Sequence, residues 1–336
     1  MKREQAIVVS WPRPAGTRAG LLLVALLLAA CAGTASKSSA ASKPPPAHLS
    51  SADFALLVDY GSTAKDQPVR NHAEQTLDKR CMNKHGFEYI LDPSTWHAGS
   101  QDQPYVPGIG ATRTEAMAVV QRLRTGYHLY SDYRPSKVPP NDQYVRSLSP
   151  AEQTRYIRAL FGPQSKYQTI HEPGGGTISF PTAGCVAQGE RRLYGSPKAA
   201  QELLVFPGDL QGILGNKTTV DPAVVAKGKP WSDCVTAAVG APFATQQEIV
   251  DSLKQDYAAK GATPAIHHRE IAYAVADAIC QFQSGLATVY ARAFHRLADQ
   301  LPASTRRLLA HLLVVDHAAA QRARLTLSPA HGSNRR

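Results

Sequence analysis

The sequence predicts an all-α fold: an irregular multi-helix body with two disulfides and a long C-terminal antiparallel helical hairpin. Three observations predict it: repeated helix-capping signals, a long C-terminal segment with apolar residues at helical spacing, and four cysteines within the body. Strand signals are few. Only residues 177–182, TISFPT, have the composition of a short strand.

The N-terminal residues predict a lipoprotein signal peptide over residues 1–30. Four basic residues and one acidic residue precede a charge-free apolar run over residues 19–30, which is too short to span a bilayer as a helix. The run ends in Leu28-Ala29-Ala30-Cys31, which resembles a bacterial lipobox. We therefore expect Cys31 to carry a diacylglyceryl group and to anchor the protein on the extracytoplasmic face of the cell membrane. An ordinary signal peptide with a chance cysteine is the alternative.

The remaining chain divides by composition into a tether, a body and a tail. Residues 31–51 contain mainly Ala, Ser, Gly, Lys and Pro, which predicts a disordered tether behind the lipidated cysteine. The body is predicted as an N-terminal helical part, residues 52–228, and a C-terminal helical part with the hairpin, residues 229–327. Residues 328–336 are predicted to be a disordered tail.

The formal net charge of +11 is spread along the chain without a long basic run. Because the predicted location is outside the membrane, nucleic acid is not expected as a partner. The expected partners are the membrane, reached through the diacylglyceryl group on Cys31, and envelope polymers or another envelope protein. No cofactor is predicted.

Once Cys31 is assigned to lipidation, an even set of four cysteines remains. An oxidising compartment favours two disulfides, and four cysteines allow three connectivities. We predict pairing within each half, Cys81 with Cys185 and Cys234 with Cys280. None of the four belongs to a CxxC pair, so the sequence gives little support for zinc binding.

Three capping boxes place helix starts in the body. Each has a Thr or Ser at the N-cap and a Glu three residues later, followed by apolar residues at helical spacing. The pairs are Thr112 with Glu115, Ser149 with Glu152, and Thr245 with Glu248. In the first of these helices Ala116, Val119, Val120 and Leu123 form the predicted buried face.

The C-terminal third predicts the hairpin. Apolar residues between His267 and Gln300 keep helical spacing, which predicts one helix of about 50 Å. Pro302 separates it from a second helix that begins near Ser304 and ends near Thr326. Residues 308–315, LLAHLLVV, are apolar around most of the helix. This segment is either covered on both sides within the fold or used for a homotypic contact.

Several blocks of the sequence together resemble a known group of proteins. They are CMNKHGFEY, NDQYVRSLSPAEQTRYIRALFG, GCVAQGERRLYG, WSDC and REIAYAVADAIC, between about residues 67 and 325. In order and spacing they are similar to blocks of uncharacterised secreted and lipid-anchored proteins of actinobacteria. The resemblance implies a helical exported module with paired cysteines, and it implies no established activity.

Two groups of residues are candidates for a binding site. His267 and Glu270 are three residues apart on a predicted helix, as metal ligands can be, and Asp277 could add a third oxygen. The alternative is a polar first helical turn, where Glu suits the helix dipole.

The second candidate group is aromatic. Tyr127, Tyr130 and Tyr133 follow the first capped helix and could stack on sugars. Such tyrosines also close the edge of a hydrophobic core, and the sequence leaves both interpretations open.

Two function classes follow from these predictions. The first is a membrane-anchored lipoprotein that acts as a non-catalytic binding or interaction module of the bacterial cell envelope. The second is a cell-envelope hydrolase or transferase acting on wall polymers. The first is favoured because the sequence contains neither a GxSxG elbow nor an HExxH helix, and because paired cysteines provide no thiolate nucleophile.

Overall fold

A computed structural model describes residues 49–59, 61–96, 115–134 and 137–328, and most of them are helical. The helices are α1 (Ser51–Asp59), α2 (Gly61–Lys84), α3 (Glu115–Thr125), α4 (Leu129–Tyr133), α5 (Pro140–Ser147), α6 (Pro150–Phe161), α7 (Gly184–Tyr194), α8 (Pro197–Thr219), α9 (Pro222–Val225), α10 (Gly228–Val239), α11 (Gln246–Lys260), α12 (Pro264–Gln283), α13 (Leu286–Asp299) and α14 (Ala303–Leu327). The all-α prediction is confirmed.

Two short strands form a hairpin at the surface. Strand β1 (Tyr167–His171) pairs antiparallel with β2 (Thr177–Pro181), and His171 lies opposite Thr177. The predicted strand is β2. The intervening turn is closed by the N–H of Glu172, which donates to the carbonyl of Gly176 at 2.8 Å.

Of the two predicted capping boxes within the described residues, the one at α6 is complete and the one at α11 is half formed. At α6, Ser149 and Glu152 make both reciprocal bonds of the box. At α11, Thr245 accepts from the N–H of Glu248, whereas the carboxylate of Glu248 accepts from the N–H of Ala244 at 2.8 Å. Thr112 lies outside the described residues.

The buried face of α3 differs from the predicted one. Val120 and Leu123 are 46% and 54% exposed, whereas Ala118 and Arg122 are buried. Arg122 stays inside because its guanidinium donates to the carbonyl of Gly126 at 2.9 Å and lies over the ring of Tyr127. The buried side of α3, the helix that packs against α12, therefore combines a small residue with a hydrogen-bonded cation.

The predicted single helix from His267 to Gln300 is wrong, because it is two helices. Helix α12 starts earlier, at Pro264 after the N-cap Thr263, and ends at Gln283. Gly285 takes the left-handed conformation, with φ of 74°, and α13 starts after it. A left-handed residue interrupts the helical hydrogen-bond ladder, so neither helix approaches 50 Å.

Helix α14 packs mainly against α2, and also against α1, α7 and α8. The C-terminal helices are therefore not a simple two-helix hairpin. Leu309, Leu312 and Val315 are buried in these contacts, whereas Val314 is 65% exposed. The apolar segment of α14 is thus covered within the fold on most of its surface.

One large hydrophobic cluster extends from Leu56 in α1 to Val315 in α14. It draws residues from both of the predicted helical parts, so these parts share a core. The described residues belong to one compact unit. A second cluster around Met82, Tyr156 and Cys185 packs where α2, α6 and α7 meet.

Both predicted disulfides are present. Cys81–Cys185 joins α2 to α7, and Cys234–Cys280 joins α10 to α12. Each bond therefore fixes two helices that are far apart in the chain.

Candidate functional site

A cavity of about 810 Å³ opens among α8, α9, α10 and the start of α11. Helix α13 contributes the buried residues Leu286 and Tyr290 to its lining. Its size is typical of sites that enclose a small organic molecule.

One face of α8 forms a floor of glycines and small polar residues. The residues recur at three- and four-residue steps, which places them on one side of a helix. They are Gly208, Gln211, Gly212, Gly215, Asn216 and Thr219. A Cβ added at Gly212 would meet no atom within 4 Å. The backbone of α8 is therefore open to the cavity at this point.

The facing wall includes Trp231, whose side chain is held in place by a buried carboxylate. Its Nε1–H donates to Oδ1 of Asp277 at 3.0 Å. The same carboxylate accepts from the amides of Gln246 at 2.7 Å and Gln281 at 2.8 Å, and from the hydroxyl of Tyr127 at 3.0 Å. Asp277, predicted as a possible third metal ligand, is thus engaged by four donors and orients the indole.

Tyr290 supplies the most buried hydroxyl of the lining. The residue is 3% exposed, and burial raises its pKa to about 12, so the phenol is neutral at physiological pH. Its hydroxyl oxygen lies 3.4 Å from the position that a Cβ on Gly215 would occupy. Among the residues that the structure describes, this hydroxyl has no hydrogen-bond partner.

The charged lining residues are paired with each other. The ammonium group of Lys229 donates to both carboxylate oxygens of Asp233 at 2.8 Å, and both side chains are well exposed. An exposed pair contributes little to stability. Because the two charges cancel, the lining residues that the structure describes give the cavity no net charge.

Glu270 lies in a separate, fully buried network. Its carboxylate accepts from the backbone N–H groups of Tyr127 at 2.7 Å, Leu129 at 2.9 Å and Tyr130 at 3.0 Å. The hydroxyl of Tyr257 donates to it at 2.6 Å. Glu270, predicted as a weak metal candidate, therefore fixes the turn between α3 and α4.

His267 and the three candidate tyrosines pack around the same turn. The ring of His267 stacks on Tyr130, with ring centroids 4.0 Å apart. Tyr133 stacks on Tyr257 at 5.2 Å, and the hydroxyl of Tyr127 is bonded to Asp277 as described above. Of the two interpretations of these tyrosines, the contacts favour closure of the core edge.

A buried acidic cluster lies where α2 packs against α7, and sequence reasoning missed it. Burial, together with repulsion from the carboxylate of Glu74, raises the pKa of Asp78 and of Glu190 to about 7 each. Burial also raises the pKa of Glu74, which accepts a hydrogen bond from Tyr194. The four-residue spacing of Glu74 and Asp78 on a helix was the available signal.

Two further places in the sequence have a histidine next to a carboxylate: His171-Glu172 and Asp316-His317. His171 ends β1 and Glu172 starts the turn, where Gly174 donates to Asp209 at 2.6 Å. Asp316 is fully buried and forms an ion pair with Arg70. Asp209 and Asp316 are thus engaged by other parts of the fold.

One group of His, Cys and carboxylate ligands within the described residues has the spacing of a metal site. It consists of Cys81, His85 and Cys185. The two sulfurs are joined in a disulfide, so they are not thiolate ligands.

The cavity itself was not predicted from the sequence. The recurring glycines at 208, 212 and 215 in a helical segment were a usable signal, since a glycine inside a helix commonly has a packing or functional reason. The walls from α10, α11 and α13 come together only in the folded chain.

Cys31 and nearly all of the predicted tether lie outside the described residues. No helix in the described ranges is both long and apolar enough to cross a membrane. Comparison of the chain with protein-family models, with curated proteins and with solved structures gives no match.

Proposed function

We propose that the protein is a lipoprotein, anchored on the extracytoplasmic face of a bacterial cell membrane through Cys31, and that it acts as a non-catalytic binding module of the envelope. The observation that carries the binding role is the cavity of about 810 Å³. The lipobox-like Leu28-Ala29-Ala30-Cys31 supports the location.

The composition of the cavity favours binding over catalysis. Within the described ranges its lining contains no histidine, and its carboxylate, Asp233, is held by Lys229. General acid–base catalysis needs a titratable group within reach of the substrate, which is the feature that would favour a hydrolase or transferase. The lining instead combines apolar side chains, glycine backbone, amides and hydroxyls, as ligand-binding sites do.

Two measurements test the two parts of the proposal. For the anchor, cells are labelled with an alkyne analogue of palmitate, and we expect label on the wild type and none on Cys31→Ala. The variant should leave the membrane fraction without unfolding. A Cys31→Ala protein that stays membrane-bound or loses its fold would contradict the anchor.

For binding, the immobilised protein is incubated with envelope extract, and bound compounds are identified by mass spectrometry. Gly212→Leu should lose them, because its side chain enters the cavity. Lys217→Leu, an exposed change on α8 outside the cavity, is the matched control. Equal retention by both variants would exclude the cavity as the binding site.

A further inference from the structure

We propose that the cavity binds a neutral, flat and mainly apolar ring compound, with a carbonyl or hydroxyl group placed against the hydroxyl of Tyr290. This inference rests on the proposed binding function and specifies the chemical class of the ligand.

The charge of the lining favours a neutral ligand. Lys229 and Asp233 neutralise each other at 2.8 Å. A charged ligand would lose its hydration in an apolar cavity and gain no opposite charge, which is unfavourable. A neutral ligand does not bear this cost.

The shape of the floor favours a flat ligand. Gly212 and Gly215 leave the backbone of α8 without side chains where it meets the cavity. A ring can lie against such a surface at van der Waals distance. The indole of Trp231 and the side chain of Leu286 offer it further apolar contact.

Tyr290 provides the polar contact. The residue as a whole is only 3% exposed, so the cavity is where its hydroxyl can find a hydrogen-bond partner. No described residue is its partner, and it faces a cavity. A ligand carbonyl would accept from it, and a ligand hydroxyl would either donate or accept.

The test uses 2,3-dimethyl-1,4-naphthoquinone, a neutral flat ring compound whose substituted ring does not add thiols. The full chain and its variants are titrated in the same detergent, and quenching of tryptophan fluorescence is followed. Trp231 lines the cavity, so a bound quinone quenches it. Gly212→Leu should weaken binding at least about tenfold by occupying the floor, and Lys217→Leu should leave it unchanged.

Tyr290→Phe tests the polar contact and removes one oxygen only. We expect the affinity to fall about threefold to tenfold, the equivalent of one neutral hydrogen bond. Equal quenching of the wild type and Gly212→Leu would overturn the inference. So would unchanged quinone affinity in Tyr290→Phe.

Two further probes separate this inference from the proposed function. They are methyl β-glucoside, which is neutral and polar, and 2-naphthoate, which is flat and anionic. If either displaces envelope-derived compounds while the quinone does not bind, the ligand class is wrong and the binding function stands. If no probe binds and the envelope extract yields no retained compound, both are wrong.

Discussion

At the scale of single residues, Glu270 organises the turn that leads from α3 to α4. Three backbone N–H groups and one hydroxyl converge on its carboxylate, which is fully buried. The turn approaches it so closely that a Cβ on Gly126 would lie 2.7 Å from Oε1 of Glu270. A carboxylate with four donors has little capacity left for a metal ion, so its role here is structural.

We expect Glu270→Gln to lower the free energy of unfolding by roughly 3 kcal/mol, because hydrogen bonds to a buried charged group are among the stronger ones. The new NH₂ group would face a backbone N–H or the hydroxyl of Tyr257. Urea denaturation measures the change. Glu88→Gln, at an exposed position, is the control and should change stability by less than about 0.5 kcal/mol. A similar small effect at both positions would contradict the role given to Glu270.

At the scale of elements, α2 carries a polar stripe into the interior. Arg70, Glu74 and Asp78 are spaced four residues apart and face α14 and α7. Arg70 forms an ion pair with Asp316, whereas burial and the nearby carboxylate of Glu74 disfavour the charged forms of Asp78 and Glu190. Stability at this contact therefore depends on pH.

The direction of this dependence follows from the raised pKa values of about 7 for Asp78 and Glu190. Between their ordinary values near 4 and about 7, the folded state holds protons that the unfolded state releases. The stability that these two groups contribute is therefore complete below about pH 4 and is lost as the pH rises to about 7.

Asp78→Asn removes the charge at every pH. We expect it to raise the melting temperature strongly at pH 8 and less at pH 5, because the loss of stability, which begins near pH 4, is only partial at pH 5. Thermal unfolding at the two pH values is the measurement. Asp251→Asn, on the exposed side of α11, should show no such difference. The same shift for Asp78→Asn at pH 5 and pH 8 would argue against a raised pKa.

The break between α12 and α13 depends on one glycine. Gly285 has φ of 74°, a conformation that an L-residue with a Cβ adopts at a cost. We expect Gly285→Ala to destabilise the fold by about 1 kcal/mol. Gly228→Ala is the matched control, because its Cβ would meet no atom within 4 Å at the start of α10. Equal effects of the two changes in urea denaturation would contradict this account.

Sequence reasoning succeeded at the elements that are determined locally. The box of Ser149 and Glu152 involves only neighbouring residues, and it is found as predicted. The continuous helix from His267 failed because apolar spacing continues through Gly285, although one left-handed residue ends the helix. The predicted buried face of α3 was wrong because the carbonyl of Gly126 and the ring of Tyr127 hold Arg122 inside, and apolar spacing does not report such polar contacts.

At the candidate site, too, the sequence indicated local features and missed those that distant segments form together. The sequence singled out Glu270 and the tyrosines, which are real features of one region but serve its packing. The cavity was missed because its floor is marked by absent side chains, at Gly212 and Gly215, and its other walls come from distant segments. Its key polar group, the hydroxyl of Tyr290, lies on an ordinary amphipathic helix and becomes distinctive only because the fold places it in the cavity lining.

At the scale of the whole molecule, the two disulfides stabilise different regions and should be separable by function. Cys81–Cys185 lies in the cluster around Met82 and Tyr156, whereas Cys234–Cys280 joins α10 and α12. Helix α10 carries Trp231 into the cavity wall. Cys234–Cys280 therefore holds the cavity wall that α10 forms, whereas Cys81–Cys185 lies in a different hydrophobic cluster.

Replacing either pair of cysteines with alanine should lower the free energy of unfolding by about 2–5 kcal/mol, since each bond closes a long loop, with sequence separations of 104 and 46 residues. At a temperature where both variants are folded, only the double change at Cys234 and Cys280 should weaken quinone quenching, because α10 is then less firmly held against α12. The double change at Cys81 and Cys185 is the control for general destabilisation. If both variants lose quinone binding equally, the cavity depends on overall stability and not on the bond behind its wall.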